Sequence, residues 1–249
     1  MNMLEIRNVT KRFGNLVAVK DVSMSVKRGE LRAIIGPNGA GKTTFFNMIS
    51  GYFPPTQGSI IFEGKDVTQI PTHRRVGLGM GRTFQITEIF PELTVHENVL
   101  TAAEVAAGQT LQMVPNKAAA KLANDVATEM LTLVGLTAKA DRLVGELAHG
   151  DQRTTEIAMA LAQQPRLLLL DEPTAGMGDQ ETYEITALIR RLHRESNFTI
   201  VLIEHDMRVV FHLADYITVL DQGNLLAEGT PKEIAASEAV QAAYLGETG

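Results

Sequence analysis

The sequence predicts an α/β fold: a parallel sheet covered by helices on both faces, with an antiparallel β-subdomain and an inserted helical subdomain. Three observations predict it. The runs Leu31 to Ile35, Leu167 to Leu170 and Thr199 to Ile203 are apolar on both faces, as central strands of a buried parallel sheet must be. A glycine-rich string, Gly36-Pro37-Asn38-Gly39-Ala40-Gly41-Lys42-Thr43, follows the first run and opens a helix. Between about Glu92 and Gly145 the pattern turns helical, with Leu122, Val126, Met130 and Leu133 recurring at spacings of four and three.

Each element follows in order. Val22, Met24 and Val26 alternate with Ser23, Ser25 and Lys27, the period of a half-buried strand, and Lys27-Arg28-Gly29-Glu30 makes the next turn. A helix spans Lys42 to Ser50 and is closed by Gly51. Ser59 to Phe62 with the turn Glu63-Gly64-Lys65 reads as a hairpin. Within the helical stretch, Gly108 to Pro115 is a loop between helices. Further helices span Gln152 to Gln163, ending before Pro165, and Gln180 to Arg194, where Ile185, Leu188, Ile189 and Leu192 have helical spacing. Tyr216 to Leu220 and Leu225 to Glu228 flank the turn Asp221-Gln222-Gly223-Asn224 and form a second hairpin. The 249 residues make one compact unit. Residues 1–91 and 164–249 form the core with the β-subdomain, and about 92–163 form the helical subdomain.

Composition narrows the function. A formal net charge of -6 argues against a dedicated nucleic-acid binder. The chain has no cysteine, which excludes disulfides and thiolate metal sites. The start, MNMLEIRNVTKRFG, has no apolar core of the secretory kind, and no apolar run approaches the ~20 residues that span a bilayer. The chain is expected to stay in the cytosol, and any membrane role must come from partner chains.

The string at 36–43 matches G-x-x-x-x-G-K-[ST] in its expected strand-to-helix context. Its glycines let backbone N–H groups turn inward around phosphates, the helix N-terminus adds its positive end, Lys42 adds a point charge, and the Thr43 hydroxyl can ligate Mg²⁺. Leu167 to Leu170 ends in Asp171-Glu172, and ligands collect at the carboxyl ends of parallel strands. Asp171 is therefore assigned to Mg²⁺, held through water, and Glu172 to orienting or deprotonating an attacking water. The alternative for one of the pair is capping the turn Pro173-Thr174. The third run ends at Ile203-Glu204-His205-Asp206, which puts His205 on the same sheet edge, where its imidazole can donate to a γ-phosphate. His73, His96, His193 and His212 are read as structural. Gln85, in Arg82-Thr83-Phe84-Gln85, is an amide able to reach the metal or the water; on composition alone it is an ordinary surface residue.

Taken together, these residues resemble the nucleotide-binding subunits of ABC transporters over essentially the whole chain. The resemblance implies a P-loop NTPase fold of ABC ATPase architecture, with a RecA-like core, the β-subdomain and a helical subdomain carrying the signature. It assigns Phe13 to adenine stacking, Gly36, Pro37, Asn38, Gly39, Ala40, Gly41, Lys42 and Thr43 with Thr44 to the Walker A loop, and Gln85 to the Q-loop. Asp171 and Glu172 become Walker B with its catalytic carboxylate, and His205 the switch histidine. Catalysis rests on Glu172, His205 and Lys42, and the metal on Thr43, Gln85 and Asp171. Two subunits, identical or related, close head to tail around two ATP molecules. Each subunit's signature, here Ala148, His149, Gly150 and Asp151 after Leu147, completes the partner's site.

Arg82-Thr83-Phe84-Gln85, Leu93-Thr94-Val95-His96-Glu97-Asn98-Val99, Glu172-Pro173-Thr174-Ala175-Gly176-Met177 and the ending Ala243-Tyr244-Leu245-Gly246-Glu247 look like the G-type ATPase of branched-chain amino-acid uptake. Systems carrying amides or urea share the pattern, and the lipopolysaccharide-export ATPase is similar at the C-terminus. The resemblance implies separate integral membrane permeases, an external solute-binding protein acting indirectly, and a peripheral position on the cytoplasmic face of the membrane. Soluble ABC modules of DNA repair or translation control carry coiled-coil insertions or two fused cassettes, and neither is present. A P-loop kinase or GTPase would lack a signature helix and would not need His205. Two motifs depart from the family: the D-loop reads Ala175-Gly176-Met177-Gly178, without its terminal Asp unless Asp179 substitutes, and the signature, usually Leu-Ser-Gly-Gly-Gln, reads Leu147-Ala148-His149-Gly150-Asp151, where Ala148 lacks the hydroxyl of the usual Ser. Gly150 still offers a backbone N–H at a helix N-terminus. Asp151 is expected to turn toward that helix's own N–H groups. His149 either donates to phosphate or fills space.

Overall fold

The computed structural model describes residues 2–83, 89–107 and 117–245. The three apolar runs become β3 (Leu31–Ile35), β7 (Leu167–Asp171) and β8 (Thr199–Ile203), each buried along its whole length. With β6 (Met80–Arg82), β9 (Tyr216–Asp221) and β10 (Asn224–Gly229) they form one sheet in the order β10-β9-β3-β8-β7-β6. All neighbours in it are parallel except β10, which closes an antiparallel hairpin with β9. Successive side chains of a strand point to opposite faces. Accordingly Ile34, Leu167, Leu169, Val201 and Ile203 join one core, while Ala33, Ile35, Leu168, Leu170, Ile200 and Leu202 join another.

The first core lies between the sheet, α1 (Lys42–Ser50) and a second sheet. That sheet contains β1 (Asn2–Phe13), β2 (Leu16–Lys27), β4 (Gln57–Phe62) and β5 (Lys65–Asp66), antiparallel in the order β2-β1-β4-β5. The longest of its strands, β1, is hard to delimit by periodicity because its pairing with β2 shifts register between Ile6 and Val9 and again beyond Val9. Asn8 sits there with φ +49°, a left-handed kink that breaks the two-residue alternation.

The second core carries α3 (Val95–Ala106), α4 (Lys117–Val134), α5 (His149–Ala162), α6 (Asp179–Arg194) and α7 (Met207–Leu213). A capping box starts α3, with Thr94 and Glu97 bonding each other's backbone N–H groups. The stripe expected on α4 is rotated. Its buried residues are Ala123, Ala127, Met130, Leu131 and Val134, while Leu122 is 61% exposed. Alanines on the inner face allow α4 to approach α3 and α5 closely, so the larger Val126 and Leu133 lie at the margin. The helix expected from Gln152 starts three residues earlier, at His149. The loop expected at Gly108 to Pro115 lies outside the described residues. The chain finishes through α8 (Pro231–Ala235) and α9 (Glu238–Leu245).

One buried cation ties α1 to the chain that leaves β5. Arg75, in α2 (Thr72–Gly77), is 1% exposed. It donates to the carbonyls of Ile70, Met48, Ile49, Val67 and Thr68 at 2.7, 2.9, 2.6, 2.6 and 3.2 Å. Met48 and Ile49 belong to the last turn of α1, whose carbonyls need partners. Gly51 ends α1 with φ +80°, and a Cβ there would lie 2.6 Å from Arg75 Nε, so the glycine serves both the cap and the guanidinium. Burial pushes the Arg75 pKa down to about 10, which leaves it charged at neutrality. Replacing Arg75 by Met removes a five-bond hub from a closed site. Urea unfolding should show a loss of about 3 kcal/mol or more.

Candidate functional site

The turn from β3 into α1 is wedged against backbone on two sides. Gly36 has φ +150° and a Cβ there would lie 2.0 Å from the Leu220 carbonyl; Gly41 has φ +92° and its Cβ would meet the Ala18 carbonyl at 2.5 Å. Only glycine allows this approach. The loop therefore faces a cleft of about 540 Å³ whose walls include Asn38, Gly39, Ala40, Gly41, Lys42, Thr43 and Thr44, with Glu172 opposite. The remaining walls are Leu16, Val17 and Ala18 of β2 and Gln222 and Gly223 of the β9–β10 turn. Lys42 Nζ folds back onto the carbonyls of Gly36 and Pro37, at 2.6 and 2.9 Å. A cation held by its own loop beside orphan N–H groups of a helix start is an anion site.

At the end of β7 the two carboxylates separate. Asp171 is 1% exposed and its Oδ2 accepts from Arg82 Nη2 at 3.0 Å. Burial pushes its pKa up, against the opposing pull of Arg82. Arg82 also reaches Asn47 Oδ1 and Ser50 Oγ on α1, which links the edge strand β6 to the phosphate loop's helix. Glu172 is half-buried and enters the cleft wall from a left-handed backbone, φ +44°. Such a conformation costs on the order of 1–3 kcal/mol in a non-glycine residue and marks a position that the surroundings over-determine.

Those surroundings come from residues that sequence reasoning missed. Arg153 on α5, 7% exposed, donates to the carbonyls of Asp171, Glu172 and Pro173 at 2.6, 3.0 and 3.3 Å, and its Nη1 pairs with Glu156 at 2.5 Å. Glu204, 0% exposed, accepts from Thr174 N at 3.0 Å, Thr174 Oγ1 at 2.6 Å and His205 N at 3.1 Å. The side chain that caps the turn Pro173-Thr174 is thus that of Glu204, while Glu172 closes the turn through its carbonyl, which accepts from Ala175 N at 3.1 Å. A readable signal existed for Glu204, a charge at the end of an apolar strand, whereas Arg153 stands among polar residues, Gln152 and Thr154, and carried none.

Other assigned residues lie outside the cleft wall. Phe13 is 47% exposed and packs edge-on against Phe53, with ring centroids 5.5 Å apart. The His205 side chain is 63% exposed, its Nδ1 4.0 Å from Glu204 Oε2. Gln85 lies outside the described residues. None of Ala148, His149, Gly150 and Asp151 lines this chain's own cleft. They form the N-cap and first turn of α5. The expectation for Asp151 is corrected here: its carboxylate accepts from Lys139 Nζ at 2.5 Å instead of capping the helix, and Ala148, with no polar side chain, gives no cap hydrogen bond. A lysine cation twelve residues earlier attracts the carboxylate more strongly than neutral N–H groups. Gly150 N donates to Glu181 Oε1 at 3.0 Å. Asp179 begins α6 with its side chain 94% exposed, 3.6 Å from Arg208.

For Mg²⁺, Thr43 and Asp171 offer hard oxygen donors, as that ion prefers. Among the described residues no three His, Cys, Asp or Glu side chains cluster to hold a metal. Donors of this number fit an ion that takes most of its ligands from phosphate and water. With Arg82 on its Oδ2, Asp171 suits a contact through water.

The model of the ABC transporter family matches residues 19–175. The chain belongs to the ABC transporter family. Its fold is that of the family's ATP-binding cassettes: a solved ABC transporter cassette in its ADP conformation superposes with a TM-score of 0.87 at 30% identity, covering 99% of both chains. A model described as the branched-chain amino acid ATP-binding cassette transporter matches residues 224–249. The high-affinity branched-chain amino acid transport ATP-binding protein BraF of Pseudomonas aeruginosa is 41% identical over 251 residues, covering 98% of each chain. The lipopolysaccharide export system ATP-binding protein LptB of Escherichia coli is 34% identical over 247 residues, covering 99% of this chain and 98% of its own.

In this cassette Glu204 fixes both the turn that follows β7 and the backbone of His205. Glu204→Gln forces an amide N–H₂ toward donors that need an acceptor. Chemical denaturation should show a loss of about 1–3 kcal/mol, with faster amide exchange at Thr174 and His205.

Proposed function

We propose that the chain binds and hydrolyses Mg-ATP as one of two cassettes that power uptake of branched-chain amino acids, or of related small solutes such as amides and urea, through separate membrane permeases. The observation that carries this reading is full-length similarity to branched-chain amino acid transport ATP-binding proteins together with the C-terminal match at residues 224–249. Residues 1–91 and 164–249 act as the core with its β-subdomain, and about 92–163 as the helical subdomain that meets the permeases. Among the described residues no helix is long and apolar enough to cross a membrane, which accords with a peripheral place on its cytoplasmic face.

In this reading the N–H groups of Gly39 to Thr44 and the Lys42 ammonium hold the phosphates. On ATP arrival Lys42 exchanges the carbonyls of Gly36 and Pro37 for phosphate oxygens. Thr43, Asp171 through water and Gln85 would hold Mg²⁺, which would neutralise phosphate charge when bound. Phe13, close to the rim residue Leu16, stacks on the adenine. Glu172 takes a proton from water as its oxygen attacks the γ-phosphorus and the bond to ADP breaks; Lys42 and His205 stabilise the charge on the transferring group. The signature residues Ala148, His149, Gly150 and Asp151 act on a partner's ATP. Their absence from this chain's own cleft supports a site built from two subunits. Lys139 keeps Asp151 from repelling that phosphate.

Glu172→Gln should lower turnover by roughly 10²-fold or more while ATP binding persists, because the general base is lost and the phosphate loop is untouched. Turnover near that of the wild type would remove Glu172 from the role. Co-purification of the chain with integral membrane permeases and solute-dependent ATPase activity tests the transport assignment.

A further inference from the structure

The carboxylate of Glu181 joins two helix starts. On its own helix, α6, Oε2 accepts from Gly178 N at 3.4 Å, while Oε1 accepts from Gly150 N on α5 at 3.0 Å. The contact is close: a Cβ placed on Gly150 would lie 3.3 Å from Glu181 Oε1 and Cγ. Glu181 is half-buried, so water screens the contact only in part. Both N–H groups are orphan donors at positive helix ends, and together they hold one anion.

We propose that Glu181 is a latch on the signature: its carboxylate occupies the Gly150 N–H in the open subunit and must leave before the partner's γ-phosphate can take its place. The inference rests on the reading that the first turn of α5 receives the partner's ATP. Its physical basis is competition. One N–H has one good acceptor site, and a second anion brought to it meets both an occupied donor and like-charge repulsion. The two charges cannot share Gly150 at hydrogen-bond distance. Phosphate arrival therefore expels Glu181, and expulsion also releases the Gly178 N–H at the end of Ala175-Gly176-Met177-Gly178. This loop and the signature are already neighbours, since His149 Cε1 lies 4.0 Å from where a Gly176 Cβ would stand. Glu181 thus makes γ-phosphate capture by the signature loosen the loop that follows Glu172 in the same subunit. ADP, which lacks the competing group, leaves the latch closed.

The sign of the effect separates a latch from a simple tie between helices. A tie, when cut, weakens the site; a latch, when cut, opens it. In the assembled transporter, Glu181→Gln and Glu181→Ala should lower the ATP concentration for half-maximal ATPase rate by roughly threefold to tenfold, the range of one charge-assisted hydrogen bond. ADP affinity of the isolated chain should not change, and amide exchange at Gly150 without nucleotide should accelerate. Glu181→Gln keeps the side-chain volume, and its thermal midpoint reports that the fold is intact. An unchanged or raised ATP requirement in Glu181→Gln, at an unchanged midpoint, overturns the latch. Failure of ATP to join two cassettes in Glu172→Gln, with residue 181 intact, instead overturns the two-subunit site and removes what the latch would guard.

Discussion

The candidate site depends on a buried guanidinium that stands behind the cleft wall. Arg153 stands on the helix that begins with the signature, yet its donors hold three successive carbonyls where the chain leaves β7. Those carbonyls belong to Asp171, Glu172 and Pro173, so the helical layer and the carboxyl edge of the sheet share one joint. Glu156 neutralises the cation from the next turn of the same helix. A charge this deeply buried is costly unless paired and fully bonded, and here it is both. The left-handed backbone of Glu172 is stable because its carbonyl is gripped by Arg153 and its N–H by the Ile203 carbonyl. Without these partners the residue would relax toward ordinary φ values and its carboxylate would leave the cleft.

Around this joint the fold works by separation of faces. Alternate residues of β3, β7 and β8 feed two apolar cores, which frees the strand ends for polar groups. On one side Arg75 fastens α1 to the β-subdomain; on the other Arg153 fastens α5 to β7. The phosphate loop lies between the two, held by glycines whose missing Cβ atoms admit the backbones of β2 and β9.

Much of this was legible in the sequence because period and punctuation are local properties. The three apolar runs, the glycine-rich loop, the helix Lys42–Ser50 with its Gly51 cap and both hairpins need no knowledge of distant residues. What stayed hidden depends on partners far along the chain. The kink at Asn8 that masks β1 is explained only by its pairing with β2 and β4. The buried face of α4 could not be chosen from Leu122, Val126, Met130 and Leu133, because alanine counts weakly in a hydrophobic pattern yet decides how closely helices pack. Asp171, Glu172 and the loop were marked by motif and context, whereas Glu204, Arg153 and Lys139 are defined by what they bond across gaps of 30, 18 and 12 residues.

The Lys139 pair with Asp151 carries a consequence for how such signatures vary. The acid stands where the family signature usually has glutamine, and a base twelve residues earlier in the chain draws it aside. The charge of Asp151 is therefore balanced from outside the stretch 148–151, by a side chain that the stretch does not contain. Tolerance to change at residue 151 is conditional on residue 139.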